Sequence, residues 1–313
     1  MKPTRQERSL PKRLAMNLQF EPIGIEKQED YFTILGRCPQ VASDYSFLNL
    51  WAWADEYGLV WALEDEGVWI RQTRPETLLW APVASWDEID WSTRFELDRS
   101  LQTTVIRVPE KLAESWRNIF GDLASIEEDR GHWDYIYSVK DLSELKGNRF
   151  HKKKNLLNQF IKKYDYSYMP FSPELIEQAK AMQDSWCTWR DCESSEVLSA
   201  ENNAISRIFY NWEQLSGIMG GAITVNEEMA AYTVAEALTD ETVVIHFEKG
   251  DTQYKGVYQA INQMFLENTA GEFSFVNREQ DLDDPGLRKA KLSYHPVEFL
   301  QKYRVTLKGT VQG

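Results

Sequence analysis

The stretch Phe275-Val-Asn-Arg-Glu-Gln-Asp281 sets an amide (Asn277), a guanidinium (Arg278) and two carboxylates (Glu279, Asp281) side by side, and Arg288 and Lys291 follow closely. Upstream, Thr242-Val-Val-Ile-His-Phe-Glu-Lys249 ends in the charged pair Glu248 and Lys249. Carboxylates take or hold protons, while amide and cationic groups donate to a developing oxyanion or to phosphate. That set suits an acyl transfer, with Glu248, Asn277 and Glu279 as catalytic candidates. Arg278, Asp281, Arg288, Lys291 and Tyr254 are the candidates for substrate contact. A solvated sheet edge laced with salt bridges is the competing reading of the same residues.

Such a site needs elements to converge it. Thr242–Glu248 and Phe273–Asn277 read as strands, and Tyr254–Asn268 between them as a helix. A strand–helix–strand unit makes its strands parallel neighbours, and ligands of open α/β sheets gather at the carboxyl ends of such strands. The period of two puts Val244, His246 and Glu248 on one face. The Asp-rich turn ending in Pro285-Gly286 bends the chain, so that Asn277 and Glu279 face a cleft beside Glu248 and Arg278 meets an acid or a phosphate.

A second candidate is electrostatic. The chain carries a formal charge of −14, which on average repels nucleic acid. Between Lys146 and Lys163, however, six Lys and one Arg stand with no acid, and removing this +7 leaves −21 on the rest. Lys146, Arg149, Lys152, Lys153 and Lys154 are candidates for an anionic partner, either tRNA or lipid headgroups. Phe150, Leu157, Phe160, Ile161 and Tyr164 share one face of the expected helix, leaving Lys152, Lys153 and Lys162 more exposed. A plain solvated linker helix is the alternative.

The 313 residues favour two domains. After a basic tail, 1–16, one order of elements runs twice: two helices, a β-meander, a crossover helix and a further strand. We therefore expect an α/β (α+β) chain, with one domain at 17–140, a basic linker helix at 141–164 and a second domain, carrying the site, at 165–313. With 14 Phe, 12 Trp and 14 Tyr the core material is ample. The Trp-rich first half is expected to pack a core, with base stacking as the lesser option. The longest uncharged run, Leu215–Asn226, is 12 residues, against about 20 for a membrane span. No apolar segment of signal-peptide type follows the basic start. Three cysteines are too few for a disulfide framework, so the expected setting is the cytoplasm, at a membrane surface if the basic helix binds lipid. The four histidines show no metal spacing.

From Asn277 to Pro296 the chain reads Asn-Arg-Glu-Gln-Asp-Leu-Asp-Asp-Pro-Gly-Leu-Arg-Lys-Ala-Lys-Leu-Ser-Tyr-His-Pro. It closely resembles the pattern NRE-x-DLG-x-x-GLR-x-AK-x-SY-x-P of the family named for the C-terminal domain of phosphatidylglycerol lysyltransferase. Ser43-Asp-Tyr-Ser-Phe47 with Leu50, Trp51 and Trp53 resembles the opening of that family's first domain. Lys146–Asn155 with Asn158 and Phe160 resembles its basic linker. The likeness spans roughly residues 20–307. It implies two tandem GNAT-like acyltransferase domains and kinship with enzymes that move an amino acid from charged tRNA to a lipid or peptide. Asp283 replaces the family's Gly, and the membrane-embedded flippase domain of well-studied relatives is absent from this sequence, which leaves the lipid acceptor open.

Enzymes of that fold that use acetyl-CoA bind pyrophosphate on a Q/R-x-x-G-x-G/A turn of bare backbone amides. Here Gln253-Tyr-Lys-Gly-Val-Tyr258 ends in a bulky residue and Asp251 adds the wrong charge, so acetyl-CoA is disfavoured. No cofactor is expected; charged tRNA is the expected donor. A non-catalytic module binding an anionic ligand and a CoA-dependent N-acyltransferase are the alternatives.

Overall fold

The computed structural model describes residues 18–95, 102–190 and 195–308, so the basic tail 1–16 lies outside the described residues. Two compact units result: residues 1–133 with 300–313, and residues 134–299. This departs from the division at 140 and 165 in three ways. Asp134–Ser138 pairs in the second unit's sheet, the C-terminal strand Lys302–Lys308 pairs in the first, and the basic segment belongs to the second unit. A strand joins the sheet that offers it backbone partners, and sequence order does not announce which one that is.

In the first unit, Glu21–Pro22 (β1), Val60–Glu64 (β2), Gly67–Gln72 (β3), Leu78–Trp80 (β4), Val83–Ala84 (β5), Gln102–Pro109 (β6) and Ala124–Glu128 (β7) form one sheet with the C-terminal strand. The order is β1-β2-β3-β4-β6, the C-terminal strand, then β7, with β5 paired to β3. The helix Phe47–Ala52 is capped by Ser46, whose Oγ accepts from Asn49 N at 3.2 Å. Trp61, Trp69, Trp91 and Trp116 are wholly buried, the last two edge to face at 5.3 Å, which makes them core and not a stacking platform. Beneath this core, the Asp44 carboxylate takes an ion pair from Arg107 on one oxygen and from Lys302 on the other.

The second unit's sheet comprises Asp134–Ser138 (β8), Tyr166–Pro170 (β9), Ile218–Val225 (β10), Glu228–Thr239 (β11), Thr242–Gly250 (β12), Phe275–Asn277 (β13) and Glu298–Leu300 (β14). They are ordered β14-β8-β13-β12-β11-β10-β9, with β12 and β13 parallel. The helix Val257–Asn268 lays Val257, Ala260, Ile261, Met264 and Phe265 on the sheet, and Phe150, Leu157 and Phe160 of the basic segment enter the same core. Ile161 is exposed, so the expected apolar face is narrower than the sequence suggested. Gly256 starts the helix at φ +91°, and a Cβ there would lie 2.3 Å from the carbonyl oxygen of Leu156. Only glycine allows both that backbone and that approach. Cys187 is disulfide-bonded and Cys38 is a buried free thiol, a pairing the cysteine count did not foresee.

Candidate functional site

β12 and β13 pair only from Thr242 to Val244, opposite Phe275 to Asn277. Beyond that point β12 continues to Gly250, while the chain after Asn277 turns through left-handed backbone at Glu279 (φ +56°), Leu282 and Asp283. The strands part, and side chains cross the gap. Glu279 Oε1 meets His246 Nδ1 at 2.9 Å, and Arg278 Nη2 donates to Glu248 Oε1 at 3.0 Å. Glu248 Oε2 also accepts from Asn262 Nδ2 of the helix at 3.2 Å.

The period of two does not survive along β12. Phe247 pairs with Val234 and Ile245 with Ala235, so His246 is the extra residue of a β-bulge. Glu248 therefore reaches the helix that covers Val243 and Ile245, and His246 does not share its face. Instead, His246 Nε2 faces Glu236 Oε2 of β11 at 3.3 Å, with both side chains 1% exposed. Burial alone would lower the His246 pKa, but the hydrogen bonds and charges of Glu236 and Glu279 push it up to about 9.

Several of the expected site residues build the loop. Asn277 is wholly buried, donating to Asp134 Oδ2 at 2.9 Å and accepting from Glu279 N at 2.8 Å, so it does not face a cleft. Asp281 is also wholly buried. It accepts from Tyr135 Oη at 2.5 Å, from Arg288 Nε and Nη2 at 2.7 and 2.8 Å, and from Asp283 N at 2.9 Å. Burial would raise its pKa, yet the Arg288 and Tyr135 hydrogen bonds hold it well below the carboxylate range. Lys291 Nζ donates to the Gln280 carbonyl at 2.5 Å and to that of Arg278, and burial pushes its pKa down to about 8. Asp134, Tyr135 and Glu236 were not singled out from sequence, and His246 was read only as sharing a face with Glu248. The first two sit on β8, which sequence order assigned to the other domain, and the last two meet only across a strand register.

The groups that reach the surface of the gap are Glu279, 21% exposed at its side chain, and Arg278, 17% exposed. Arg278 lies 5.2 Å from the Tyr294 ring centre, and Lys153 sits over the same ring at 3.8 Å. Burial, with Arg278 nearby, pushes Lys153 down to about 8, so this lysine is not one of the exposed ones. Lys152 and Lys154 are exposed, while Lys146 pairs with Glu144 at 3.0 Å and Arg149 with Asp141 at 2.6 Å. Lys249 is buried, donating to Glu201 at 2.6 Å and lying 4.0 Å over Trp186. Tyr254 packs edge to face on Tyr164 at 5.2 Å.

The amides of the turn before the helix are engaged. Gln253 N donates to Asp251 Oδ1 at 2.9 Å, Tyr254 N to the Asp251 carbonyl at 3.1 Å and Lys255 N to Tyr164 Oη at 3.2 Å. Val257 N donates to the Tyr254 carbonyl at 3.0 Å. A cavity of about 930 Å³ opens nearby between the helix Pro173–Arg190, the β10–β11 turn and Asp251–Gln253, lined in part by Met182, Trp186, Glu228 and Met229. None of the residues expected from sequence to form the site lines it. The chemistry of the gap is the stronger guide, because ion pairs and a strained backbone converge there.

The family described as "Phosphatidylglycerol lysyltransferase, C-terminal" matches residues 36–306. A protein of unknown function from Bacteroides thetaiotaomicron is 30% identical, over 93% of this chain and 100% of that one, with a TM-score of 0.83. The C-terminal domain of a putative lysylphosphatidylglycerol synthetase from Agrobacterium fabrum matches 91% of this chain and 92% of its own at 11% identity and a TM-score of 0.62. FemX matches 92% and 97% at 7% identity and a TM-score of 0.53, a likeness of fold alone. An uncharacterised protein of Mycoplasmoides gallisepticum is 24% identical over 174 residues, 55% of each sequence, so the chain spans about half the length of that curated relative. The two mixed sheets flanked by helices share their fold with the synthetase domain from Agrobacterium fabrum and with FemX.

Proposed function

Because the chain belongs to the family of the phosphatidylglycerol lysyltransferase C-terminal domain, we propose that it is an aminoacyltransferase working at the gap between β12 and β13. The observation that carries this is the meeting of two cations, Arg278 and Lys153, around Tyr294, with the partly exposed carboxylate of Glu279 on the residue next to Arg278. An amine or hydroxyl acceptor attacks the ester carbonyl of an aminoacyl-tRNA. Glu279 receives the acceptor's proton, and Arg278 and Lys153 face phosphate or the developing oxyanion. Lys152 and Lys154, exposed on the same helix, extend the basic surface toward tRNA or anionic lipid. Among the described residues no helix is long and apolar enough to cross a membrane, so a lipid acceptor would be met at the surface.

The reading uses no acetyl-CoA. Its support is the turn Asp251–Gly256, where the Gln253, Tyr254 and Lys255 amides already have acceptors and the glycine is closed over by the Leu156 carbonyl. Those residues do not fit a pyrophosphate. A non-catalytic module for an anionic ligand is the second reading, favoured by Glu248 and Asp281 being held in ion pairs with Arg278 and Arg288.

The test is transfer of labelled amino acids from a pool of charged tRNAs into lipid and peptide fractions, by wild type and Glu279→Gln. Label should enter one fraction with the wild type and be lost with the variant, while thermal stability falls by no more than one charge-assisted hydrogen bond, about 1–3 kcal/mol. A ligand that copurifies without turnover would select the second reading. Tight binding of acetyl-CoA with no aminoacyl transfer would refute both the donor and the site.

A further inference from the structure

Behind Glu279 lies a row that the proposed chemistry has not used. Glu236 on β11, His246 on β12 and Glu279 on the loop after β13 stand in line, with imidazole–carboxylate distances of 3.3 and 2.9 Å. Both ring nitrogens of His246 thus face carboxylate oxygens. A neutral imidazole has one N–H and one lone pair, and a lone pair aimed at a carboxylate oxygen is repulsive. With both carboxylates ionised, the hydrogen-bond inventory places a proton on each nitrogen, and the row reads minus, plus, minus. Burial is graded along it: Glu236 and His246 are 1% exposed and Glu279 is 21% exposed.

The backbone is shaped around this row. The bulge on β12 falls at His246 and takes it out of the strand alternation. Glu279 holds φ +56°, a conformation costly for a residue with a side chain, and Asn277 Oδ1 fixes it by accepting from Glu279 N at 2.8 Å. The Lys291 ammonium also acts on Glu279, from the helix Pro285–Leu292, and Arg278, Asp134 and Asp281 act on that ammonium in turn. Strain, a bulge and a buried charge pair all serve to hold one carboxylate at the surface of the gap.

We propose that Glu236 and His246 are positioning residues that lock the Glu279 carboxylate in place for the acceptor's proton. The role deepens the transfer reading and rests on it. In the step, the acceptor nitrogen or oxygen bonds to the ester carbonyl carbon, the bond from that carbon to the ribose oxygen breaks, and one proton moves from the attacking atom through Glu279 to the departing oxygen. His246 keeps both of its protons throughout. It orients Glu279 and supplies a fixed opposite charge, and Glu236 keeps it protonated. The His246 pKa of about 9 agrees with that geometry.

The experiment begins on the ligand-free full chain with 15N-labelled histidine. The sequence has four histidines, so signals are assigned by single substitution. At pH 7.5 both ring nitrogens of His246 should show imidazolium shifts, and Glu236→Gln should bring the titration midpoint below that pH. A His246 with one N–H at pH 7.5, the proton lying on Glu236 instead, overturns the proposal. In the transfer assay Glu236→Gln should lower kcat about tenfold or more with little change in KM, and should shift the pH profile. A stability loss with kcat and pH profile unchanged makes the row structural and overturns the role. No transfer by the wild type removes the reading on which the role rests, and the role with it. The ring signals still report the row separately, so the two failures can be told apart.

Discussion

Asp44 is the carboxylate between Lys302 and Arg107, and the three side chains are 3%, 0% and 11% exposed. One buried carboxylate thus serves two cations. Asp44→Asn removes the carboxylate that both cations share, whereas Lys302→Met leaves the Asp44–Arg107 ion pair in place. Removing the shared partner of buried charges costs about 3–5 kcal/mol. Losing one of two charge-assisted hydrogen bonds to a carboxylate that stays paired costs about 1–3 kcal/mol. Asp44→Asn should therefore be the more damaging change, although it is the smaller one in shape. With a urea m-value of about 2–3 kcal/mol/M, the midpoint should fall by roughly 1–2 M for Asp44→Asn and by less for Lys302→Met. Tryptophan fluorescence follows the transition, since Trp61, Trp69, Trp91 and Trp116 form this unit's core. Burial would raise the Asp44 pKa, but Lys302 and Arg107 outweigh it and hold it well below the usual range. A depressed folded pKa gives stability that is present above about pH 4, the unfolded value, and lost as pH falls through the folded one. Asp44→Asn should remove that acid-side loss. An equal or larger cost for Lys302→Met, or an unchanged acid limb in Asp44→Asn, would refute the charge count.

Three further outcomes follow from the second unit. Gly256→Ala must hold φ +91° and press a Cβ against the Leu156 carbonyl, so it should cost at least about 2 kcal/mol in thermal or urea unfolding. Lys153, with a pKa of about 8, should react with a limiting amine reagent at pH 7.5 about tenfold or more faster than exposed Lys152 or Lys154. Peptide mass spectrometry reads this, and equal labelling would remove Lys153 from the Arg278–Tyr294 cluster. If Lys152 and Lys154 each meet one phosphate, replacing both with Gln should flatten the salt dependence of tRNA binding by about 1.4–1.8 in log–log slope. An unchanged slope would return them to solvated surface.

What the sequence determined by itself is local or carried by a long motif. Hydrophobic runs and turn residues defined β10, β11 and β12 and the helix Val257–Asn268, because period and punctuation are local properties. The stretch from Asn277 to Pro296 carried the family, and with it the tandem fold. The placing of Glu279 at a strand end was legible for the same reason. Tertiary structure decided which residues do what there. Asn277 and Asp281 look like site residues in sequence, but β8 supplies Asp134 and Tyr135, which draw them into the fold. Glu236 and His246 are ten residues apart and acquire a relation only through the antiparallel register and its bulge. Lys302 reads as one more charged strand residue until it pairs with Asp44, 258 positions earlier in the chain. Side-chain chemistry is written in the sequence, whereas burial and partner choice are set by which sheet each strand joins.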